Sequence, residues 1–388
     1  MRQRREGAAA LRMLRGDLQS HVPSEVLFGL REGVERPRCW MKRIKAAVIG
    51  ASGYSGIELL RILVRHPGAE LVAVTSRQYA GKTLESVFPR FRACGPEAVL
   101  HFIAPDMDAV SASGAEVAFL ALPHGVASEF AIGLLARGIK VIDLSADFRL
   151  DDAAVYQEFY DHPHPAPELL KESVYGLPEV HGAAISQARL VASPGCYPTS
   201  VLLPLIPLLK AKLIDLDSIC VFSMSGVSGA GRKEALPLLF CECNESLRPY
   251  SVPKHRHLSE IEQELTRAAG APVVISFTPH LVPVTAGMLT TTYVRPATGQ
   301  EMADLDAVYA MAYKEEPFVR LLGRNGTPDT KHVVGTNFLD LGWAWDPRTA
   351  RYVLMSALDN LWKGAASQAM QSFNLLNQFP VVTGLQSV

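Results

Sequence analysis

The sequence predicts an α/β fold with a dinucleotide-binding domain and a second, sheet-based domain. First, a strand-like run at 43–50 enters a glycine-rich turn that leads into a helical pattern. Second, strand-like runs follow at 70–75, 117–122 and 140–144, and a helical segment at 127–137 separates the last two. This alternation is typical of a parallel sheet with crossover helices. Third, the chain beyond residue 196 is rich in β-branched runs, at 219–224, 273–278, 289–294, 332–341 and 351–357.

The composition fits a soluble globular protein with a small-molecule partner. The chain has 388 residues, 48% of them hydrophobic and 20% charged, which is enough for two domains and a large core. With 38 basic and 39 acidic side chains, the formal net charge of −1 excludes a global basic field for nucleic acid and a polybasic membrane anchor. Six cysteines without a secretory segment indicate reduced thiols and a cytoplasmic location. No apolar run approaches the ~18 residues of a membrane-spanning helix.

Residues 1–40 form an arginine-rich N-terminal extension that we expect to be disordered, because the ordered pattern begins only at 41–43. An arginine-rich start resembles an organelle transit peptide, but acidic residues such as Asp17, Glu25, Glu32 and Glu35 and the sparse serines weaken that interpretation. A misassigned start codon, with Met41 as the true initiator, is the main alternative.

The glycine turn has the sequence Gly50-Ala51-Ser52-Gly53-Tyr54-Ser55-Gly56. Glycines allow tight turning and close backbone approach, and the start of the following helix presents N–H groups to a diphosphate. The spacing is G-x-x-G-x-x-G rather than G-x-G-x-x-G, so a plain turn is the alternative. The strand before it and the helix after it favour a dinucleotide site.

The strand at 70–75 ends in Ser76-Arg77, where NAD-selective folds usually carry an acidic residue for the ribose hydroxyls. An arginine and a hydroxyl at this point suit the 2′-phosphate of NADP. The sequence therefore favours NADP(H), with a solvated arginine as the alternative.

Polar turns follow two further strands, Pro123-His124-Gly125 and residues 143–149, at the edge where open α/β sheets bind ligands. His124 is either a ligand contact or a turn residue. Residues 156–178 indicate an irregular surface connection. We predict no metal site, because His162-Pro163-His164 and Cys241-x-Cys243 each lack further ligands at a suitable spacing.

Cys196 lies in the tight turn Ser193-Pro194-Gly195-Cys196-Tyr197-Pro198, just before a predicted helix N-terminus. The positive end of a helix lowers the pKa of a thiol from about 8.5 and supplies N–H groups for an oxyanion. We interpret Cys196 as a nucleophile. The alternative is an ordinary buried cysteine.

Two later segments have the residue types that such a nucleophile needs. The glycine-serine loop at 225–232 ends in Arg232 and is suited to hold an anion through backbone N–H groups, unless it is only a flexible connection. His255 and His257 precede an amphipathic helix and are candidate proton carriers for Cys196, although loop histidines are often structural. A C-terminal helix through Met370 and Phe373 is expected to pack back on the first domain.

Together these residues resemble the N-acetyl-gamma-glutamyl-phosphate reductases of arginine biosynthesis, relatives of aspartate-semialdehyde and glyceraldehyde-3-phosphate dehydrogenases. The resemblance covers residues 43–375 and is carried by ordered motifs: 50–56, 143–149, 175–179, 194–199, 225–232, 255–257 with Glu260-Ile261, and 359–365. It implies a Rossmann-type dinucleotide-binding domain at 41–192 and 357–388, with an inserted α+β catalytic and oligomerisation domain at 193–356 built on a mixed sheet. It also implies a homo-oligomer, either a dimer or a tetramer.

The resemblance further implies NADPH-dependent reduction of N-acetyl-L-glutamyl 5-phosphate to the semialdehyde through a thioester on Cys196. His255, our first choice, or His257 would be the acid/base, and Arg149 and Arg232 would bind substrate. The expected cofactor-binding residues are Gly50, Ser52, Gly53, Tyr54, Ser55, Gly56, Ser76, Arg77, Pro123, Ser225, Gly226 and Asn360. Asn360 would reach the nicotinamide amide.

One position departs from the family pattern, because Ala286 stands where members commonly carry arginine. Arg232 or Arg256 would then substitute, or substrate choice differs. The first alternative function is the homologous reductase of an aminoadipyl phosphate in a lysine pathway. A cysteine hydrolase or acyltransferase and a non-catalytic NADP-binding regulator are further alternatives.

Overall fold

The computed structural model describes residues 42–300 and 303–386. The N-terminal extension expected at residues 1–40 lies outside the described residues. Arg43–Val388 forms one compact unit that contains two sheets. The expected domain boundaries at 192/193 and 356/357 therefore stay a prediction.

The first sheet has seven parallel strands in the order β3-β2-β1-β4-β5-β7-β6. Its strands are β1 Ile44–Ile49, β2 Ala69–Thr75, β3 Phe102–Ile103, β4 Val117–Leu120, β5 Lys140–Asp143, β6 Val174–Tyr175 and β7 Leu190–Ala192. Its helices are α1 Tyr54–Leu63, α2 Leu84–Val87, α3 Met107–Ala112, α4 Ala127–Ala136, α5 Ala153–Tyr160 and α6 Pro178–Ile185. The strand order reverses between β1 and β4, which creates a crevice at their carboxyl ends.

The irregular connection expected at 156–178 is wrong in part, because α5 extends into its start and β6 lies near its end, with a 3-10 turn at Pro167–Lys171 between them. Asp152 caps α5 by accepting a hydrogen bond from the N–H of Ala154 at 2.7 Å. Tyr156 and Tyr160 lie one helical turn apart, are buried, and stack with ring centroids 4.8 Å apart. Their spacing of four residues is a helical signal that the surrounding prolines and histidines obscured.

The second sheet is mixed and has seven strands in the order β12-β13-β14-β11-β8-β10-β9. Its strands are β8 Cys220–Gly226, β9 Arg248–Pro249, β10 Ser276–Val282, β11 Met288–Val294, β12 Val319–Arg324, β13 Leu339–Asp346 and β14 Arg351–Leu358. The helices are α7 Cys196–Lys210, α8 Phe240–Cys243, α9 His257–Ala269 and α10 Leu305–Tyr313. A shared apolar core joins α7, α9 and α10 to this sheet, so the predicted α/β fold class with a mixed second sheet is confirmed.

Two strand predictions need correction. The strand expected at 332–341 begins only at Leu339, because Thr330–His332 is a 3-10 turn capped by Asp329 and Gly335 has a φ of 76°. The strand expected at 273–278 spans Ser276–Val282 instead. The sequence did not predict β12 or α10.

The chain ends in a π-helical turn, Trp362–Ala366, followed by α11, Ser367–Leu376. Met370 and Phe373 are fully buried in the core of the first sheet, where the ring of Phe373 lies 5.7 Å from that of Phe119. The expected return of the C-terminal helix to the first domain is confirmed. Residues 359–366 thus connect the end of the second sheet to the first.

Candidate active site

Two adjoining cavities lie where the carboxyl edge of the first sheet meets loops of the second. One, of about 710 Å³, runs from the glycine turn to Cys196 and Asn360. The other, of about 680 Å³, lies on the far side of Cys196. Cys196, Arg149 and His257 line both cavities. The predicted nucleophile therefore sits at the junction of a long cleft and a second, cation-lined chamber.

The glycine turn has the geometry of a diphosphate cradle. Gly50 has a φ of 81°, and a Cβ there would lie 2.4 Å from the carbonyl oxygen of Ala121. A Cβ on Gly56 would lie 2.7 Å from the carbonyl oxygen of Gly50. Gly53 is the N-cap of α1, so no side chain covers the first N–H groups of this helix, which borders the cleft. These N–H groups fit a dinucleotide diphosphate.

Ser76 and Arg77 follow β2 and line the same cleft. The hydroxyl oxygens of Ser76 and Ser52 lie 3.1 Å apart. Arg232 reaches this end of the cleft from the second sheet's loop and donates from Nη1 to the carbonyl oxygen of Ser52 at 3.2 Å. Its guanidinium also lies 5.9 Å from the ring of Phe88. The structure therefore places Arg232 at the glycine turn rather than beside Cys196, where its predicted substrate role would put it.

Cys196 is the first residue of α7, with Gly195 as the N-cap, rather than a residue just before the helix. The N–H of Gly195 donates to Oε1 of Glu260 at 3.0 Å, and the hydroxyl of Thr199 donates to the carbonyl oxygen of Gly195 at 3.1 Å. Gly364 packs so closely that a Cβ there would lie 2.7 Å from Cβ of Cys196. The nucleophile turn is thus held from several sides.

The structure gives a shift of the thiol pKa opposite to the expected lowering. Burial raises the pKa of Cys196 to about 11, although the N–H of Tyr197 and the charge of Arg149 favour the thiolate. The side chain keeps some accessible surface, but protein atoms surround it closely enough for desolvation to dominate. The helix N-terminus is present, and its effect is the smaller one.

His257 is the histidine that meets the nucleophile turn. Its Nε2 lies 2.5 Å from the position that a Cβ on Gly195 would occupy. Its Nδ1 is buried without a hydrogen-bond partner among the described residues. Burial, reinforced by His255 and Arg149, holds the pKa of His257 well below its ordinary value. The imidazole is therefore neutral, with an unprotonated ring nitrogen.

His255 lies in an aromatic pocket instead. Its ring is 5.4 Å from Tyr197, 5.4 Å from Tyr250 and 5.7 Å from Phe277. Its Nδ1 accepts a hydrogen bond from the N–H of His257 at 3.1 Å. Burial and the nearby Arg256 lower the pKa of His255 to about 4. These contacts support the backbone at the start of α9.

Arg149 is buried, lines both cavities with Cys196 and faces Glu260. Its Nη1 lies 3.5 Å from Oε2 of Glu260, and its Nη2 donates to the carbonyl oxygen of Leu144 at 2.9 Å. Nε of Arg149 is buried without a hydrogen-bond partner among the described residues. Burial raises the pKa of Glu260 to about 6, against the opposing effect of Arg149.

The predicted anion-binding role of the glycine-serine loop needs correction at its first N–H groups. The N–H groups of Gly226, Val227 and Ser228 already donate hydrogen bonds to the carbonyl oxygens of Gly287, Val284 and Thr285, at 2.9, 2.9 and 3.1 Å respectively. Asn360 braces the same loop, donating to the Ser228 hydroxyl at 2.9 Å and accepting from the N–H of Gly287 at 2.8 Å. The loop is a fixed wall of the cleft rather than an open nest.

The comparisons first identify the two parts of the fold. Residues 45–188 match the family described as "Semialdehyde dehydrogenase, NAD binding domain", and residues 196–360 match "Semialdehyde dehydrogenase, dimerisation domain". Aspartate semialdehyde dehydrogenase II from Vibrio cholerae superposes with a TM-score of 0.66 at 19% identity, covering 87% of this chain and 99% of that chain. The Candida albicans enzyme solved with NADP gives a TM-score of 0.64 at 15% identity, covering 86% and 98%. At these identities the likeness concerns the fold alone.

Sequence relatives are much more similar. The N-acetyl-gamma-glutamyl-phosphate reductase of Akkermansia muciniphila is 58% identical over 345 residues, which is 89% of this chain and 99% of that protein. The chain belongs to the N-acetyl-gamma-glutamyl-phosphate reductase family. The reductase of Geobacter metallireducens is 48% identical over 346 residues, again 89% of this chain and 99% of that protein. The chain is therefore an oxidoreductase of this family, with an NAD(P)-binding domain and a dimerisation domain.

For a reductase of this family, sequence reasoning gave no role to one residue of the site, Glu260. This carboxylate is buried and contacts both Gly195 and Arg149. The available signal was its spacing of three residues from His257, which places both side chains on one face of α9. Of the other predicted residues, Pro123 borders both cavities, whereas Ser225 and Gly226 border the second.

His124 also borders both cavities and lies against Arg256, whose Nη1 is 3.0 Å from Nε2 of His124. His162 stacks near His124 with ring centroids 6.3 Å apart. Across residues 42–300 and 303–386, no group of three or more His, Cys, Asp or Glu side chains is arranged to hold a metal ion. In the same part of the chain, no helix combines the length and apolar character needed to span a membrane.

Proposed function

We propose that this chain reduces N-acetyl-L-glutamyl 5-phosphate to N-acetyl-L-glutamate 5-semialdehyde with release of phosphate, in arginine biosynthesis. One observation carries the proposal. Cys196 lies at the junction of a dinucleotide-sized cleft and a second cavity, with the neutral imidazole of His257 against its turn. A thiol, a proton acceptor and a cofactor cleft at one point are the parts that reduction through a thioester requires.

In the first step, His257 accepts the proton of the Cys196 thiol, and the sulfur attacks the acyl carbon of the substrate. The carbon–oxygen bond to phosphate breaks, phosphate leaves, and a thioester to Cys196 remains. N–H groups at the start of α7 stabilise the negative charge on the carbonyl oxygen in the transition state. We assign this proton transfer to His257 rather than His255, because His257 borders both cavities and lies against Gly195, whereas His255 borders only the second cavity and packs against three aromatic rings.

In the second step, NADPH held in the cleft would supply the hydride for the thioester carbon. His257 returns its proton to the carbonyl oxygen to give a thiohemiacetal. It then removes that proton as the carbon–sulfur bond breaks, releasing aldehyde and restoring the thiol. Orienting the acyl group and excluding water are functions of the walls around Cys196, including the Ser225–Arg232 loop and Gly364.

We propose NADPH rather than NADH as the physiological donor. Ser76 and Arg77 border the cleft after β2, where the adenosine ribose of a dinucleotide lies in this fold. Arg232 adds a second guanidinium at Ser52, which makes its proposed partner a cofactor phosphate rather than the substrate. Glycines 50, 53 and 56 with Tyr54 and Ser55 would hold the diphosphate. Asn360 would face the nicotinamide.

The second cavity has the charge expected for an acyl phosphate with a free carboxylate. Its charged lining residues are Arg149, Lys233, Arg248, Lys254 and Arg256, and no Asp or Glu is among its described lining residues. Arg149 faces Glu260 and Lys254 pairs with Glu158 at 2.8 Å. Among the described residues, the guanidinium of Arg256 contacts the rings of His124 and Tyr160. It is our candidate to replace the arginine that the family carries at position 286.

We also propose that the second sheet mediates homo-oligomer formation, as the family description of this domain indicates. Alternate residues of β8 and β11 leave an apolar outer face, with Phe222 44%, Met224 42% and Tyr293 37% exposed. Phe222 and Met224 pair with Thr291 and Leu289 of the adjacent strand. Sedimentation should give a dimer or tetramer, and Phe222→Asp should shift it towards monomer.

The reaction is tested in the reverse direction, with NADP⁺, phosphate and N-acetylglutamate 5-semialdehyde. Wild-type protein and a Cys94→Ser control, altered at a cysteine outside both cavities, should form NADPH, whereas Cys196→Ser should not. No NADPH from the wild type would contradict the reductase proposal. An active Cys196→Ser variant would contradict only the nucleophile assignment. The aminoadipyl homologue should be about 10- to 200-fold poorer, since one methylene is worth ~1–3 kcal/mol.

A further inference from the structure

The segment from Asp359 to Gln371 passes directly behind Cys196 and contains a π-helical turn. The N–H groups of Gly364 and Ala366 donate to carbonyl oxygens five residues earlier, each at 2.8 Å. Such turns are rare and are frequent at functional sites. Here the turn brings the backbone of Gly364 against the nucleophile, with a virtual Cβ 2.7 Å from Cβ and 3.2 Å from Cα of Cys196. Any side chain at this position would displace the thiol.

A buried ion pair fixes this turn. The side chains of Lys363 and Glu179 are both 0% exposed, and Nζ of Lys363 donates to Glu179 Oε1 at 2.5 Å and to Gln371 Oε1 at 2.6 Å. Nε2 of Gln371 also donates to Glu179 Oε1 at 3.1 Å. A buried ion pair is expensive to desolvate, and removing one partner leaves an unpaired charge. Because Lys363 is adjacent to Gly364 in the chain, the ion pair positions the backbone of Gly364.

A second buried contact holds the nucleophile turn from α11. Nε2 of Gln368 donates to Oγ1 of Thr199 at 2.8 Å, and Oγ1 of Thr199 donates to the carbonyl oxygen of Gly195 at 3.1 Å. Both side chains are 0% exposed. Since a hydroxyl has one proton, the Gln368 amide and the Gly195 carbonyl together fix its direction. The residue preceding Cys196 is thereby tied to the C-terminal helix.

We propose that Gln368 and Lys363 are positioning residues for the nucleophile, Gln368 acting through Thr199 and Lys363 through Gly364. The inference rests on the proposed role of Cys196 and extends it to residues that touch neither substrate nor cofactor. Asn360 lies in the same segment and borders the cofactor cleft, so one short stretch sets the relative position of cofactor and thiol. A misplacement of about 1 Å at a reacting atom lowers a rate by about 10²-fold.

The test compares Thr199→Val with Thr199→Ser in the full-length protein. Valine keeps the shape and removes the hydroxyl, whereas serine keeps the hydroxyl. We expect Thr199→Val to lower kcat by about 10²-fold, with a KM for NADP⁺ within about twofold of wild type, and Thr199→Ser to retain most of kcat. Gln368→Leu should match Thr199→Val, and the double variant should be no worse than either single one, because both remove the same link.

Alkylation of Cys196 by iodoacetamide gives a readout that needs neither substrate nor cofactor. Its rate should change in Thr199→Val and Gln368→Leu and return to the wild-type value in Thr199→Ser. Circular dichroism confirms folding, and if Thr199→Val does not fold, the double variant with Gln368→Leu is used because it leaves no unpaired amide. The inference would be overturned if Thr199→Val and Gln368→Leu both kept the wild-type alkylation rate and kcat. It would also be overturned if Thr199→Ser lost as much kcat as Thr199→Val. An inactive wild type would instead contradict the proposed function.

Discussion

Nε2 of His257 lies 2.5 Å from the point that a Cβ on Gly195 would occupy, and Oε1 of Glu260 lies 2.7 Å from it. Gly195 has a φ of −70°, which any residue adopts, so its backbone conformation does not demand glycine. The requirement comes from the approach of the histidine. The turn before Cys196 and helix α9 therefore meet at Gly195 with room for a hydrogen atom but not for a side chain.

Gly195→Ala should displace His257 and Glu260 and lower kcat by about 10²-fold, as for other small misplacements of reacting groups. Its KM for NADP⁺ should change little, because Gly195 borders the cleft beside Cys196 and is not part of the glycine turn. Steady-state kinetics of NADPH formation measure both values. Gly182→Ala is a matched control, since a Cβ there would meet Leu375 only at 3.7 Å. Equal kcat for the Gly195 and Gly182 variants would contradict this account of the turn.

The two histidines should differ in what their loss affects. His257→Gln removes the proposed proton acceptor and should lower kcat by about 10²- to 10⁴-fold. His255→Gln disrupts packing against Tyr197, Tyr250 and Phe277, and so should lower the melting temperature more than it lowers kcat. Kinetics and thermal melts of both variants distinguish the roles. A larger loss of kcat in His255→Gln would reverse the assignment.

The pH dependence of thiol reactivity follows from burial of Cys196. Because burial raises the thiol pKa to about 11, little thiolate exists at neutral pH in the free protein, and its fraction grows as pH rises towards that value. Alkylation by iodoacetamide should therefore accelerate continuously from pH 6 to pH 9 without a plateau. Labelling reactions quenched at successive times, followed by mass spectrometry of the Cys196 peptide, measure the alkylation rate at each pH. A plateau beginning near neutral pH would show a stabilised thiolate and contradict the dominance of desolvation.

The two guanidinium groups at the cofactor cleft should set the preference for NADP⁺. Hydrogen bonds to charged groups contribute about 1.5–3 kcal/mol, so Arg77→Met and Arg232→Met should each raise the KM for NADP⁺ by roughly 10- to 100-fold. The KM for NAD⁺, which lacks the 2′-phosphate, should change less. Arg65→Met, a substitution outside the cleft, is the control. Equal changes for both cofactors would place these arginines at the diphosphate instead.

Glu316 should make the fold less stable as pH rises through the weakly acidic range. Burial and the charge of Glu179 raise its pKa from 4.5 to about 7, against the opposing effect of Lys363. Between these values the folded state holds a proton that the unfolded state has lost, so stability decreases as pH increases from about 4.5 to 7. Glu316→Gln should reduce the change in melting temperature between pH 5 and pH 8. An unchanged difference would mean that Glu316 ionises normally.

Local patterns were sufficient to predict the glycine turn, the strands around it and the helix that begins at Cys196. These features depend on residues close together in the chain. The different surroundings of His255 and His257 could not be predicted, because they depend on α9 starting at His257 and on aromatic side chains that the second sheet brings to His255. The location of Arg232 depends likewise on a loop of the second sheet reaching Ser52.

The pKa of the Cys196 thiol shows a second limit of prediction from the sequence. The sequence correctly places Cys196 at a helix start, and the sign of that single effect is right. The opposing effect of burial arises from residues distant in sequence, among them Gly364 and the start of α9, and it is the larger one. The strand predicted at 332–341 was wrong for a local reason, because the apolar pattern does not reveal the positive φ of Gly335.

Trapping the acyl group on the protein tests the role of Cys196 most directly. Wild-type protein is mixed with N-acetylglutamyl phosphate in the absence of NADPH, quenched in acid and digested, and the peptides are weighed by mass spectrometry. The peptide containing Cys196 should carry one N-acetylglutamyl group, which disappears when NADPH is added before the quench, and Cys196→Ser should carry none. An unmodified Cys196 peptide in protein that turns over NADPH would contradict the thioester mechanism.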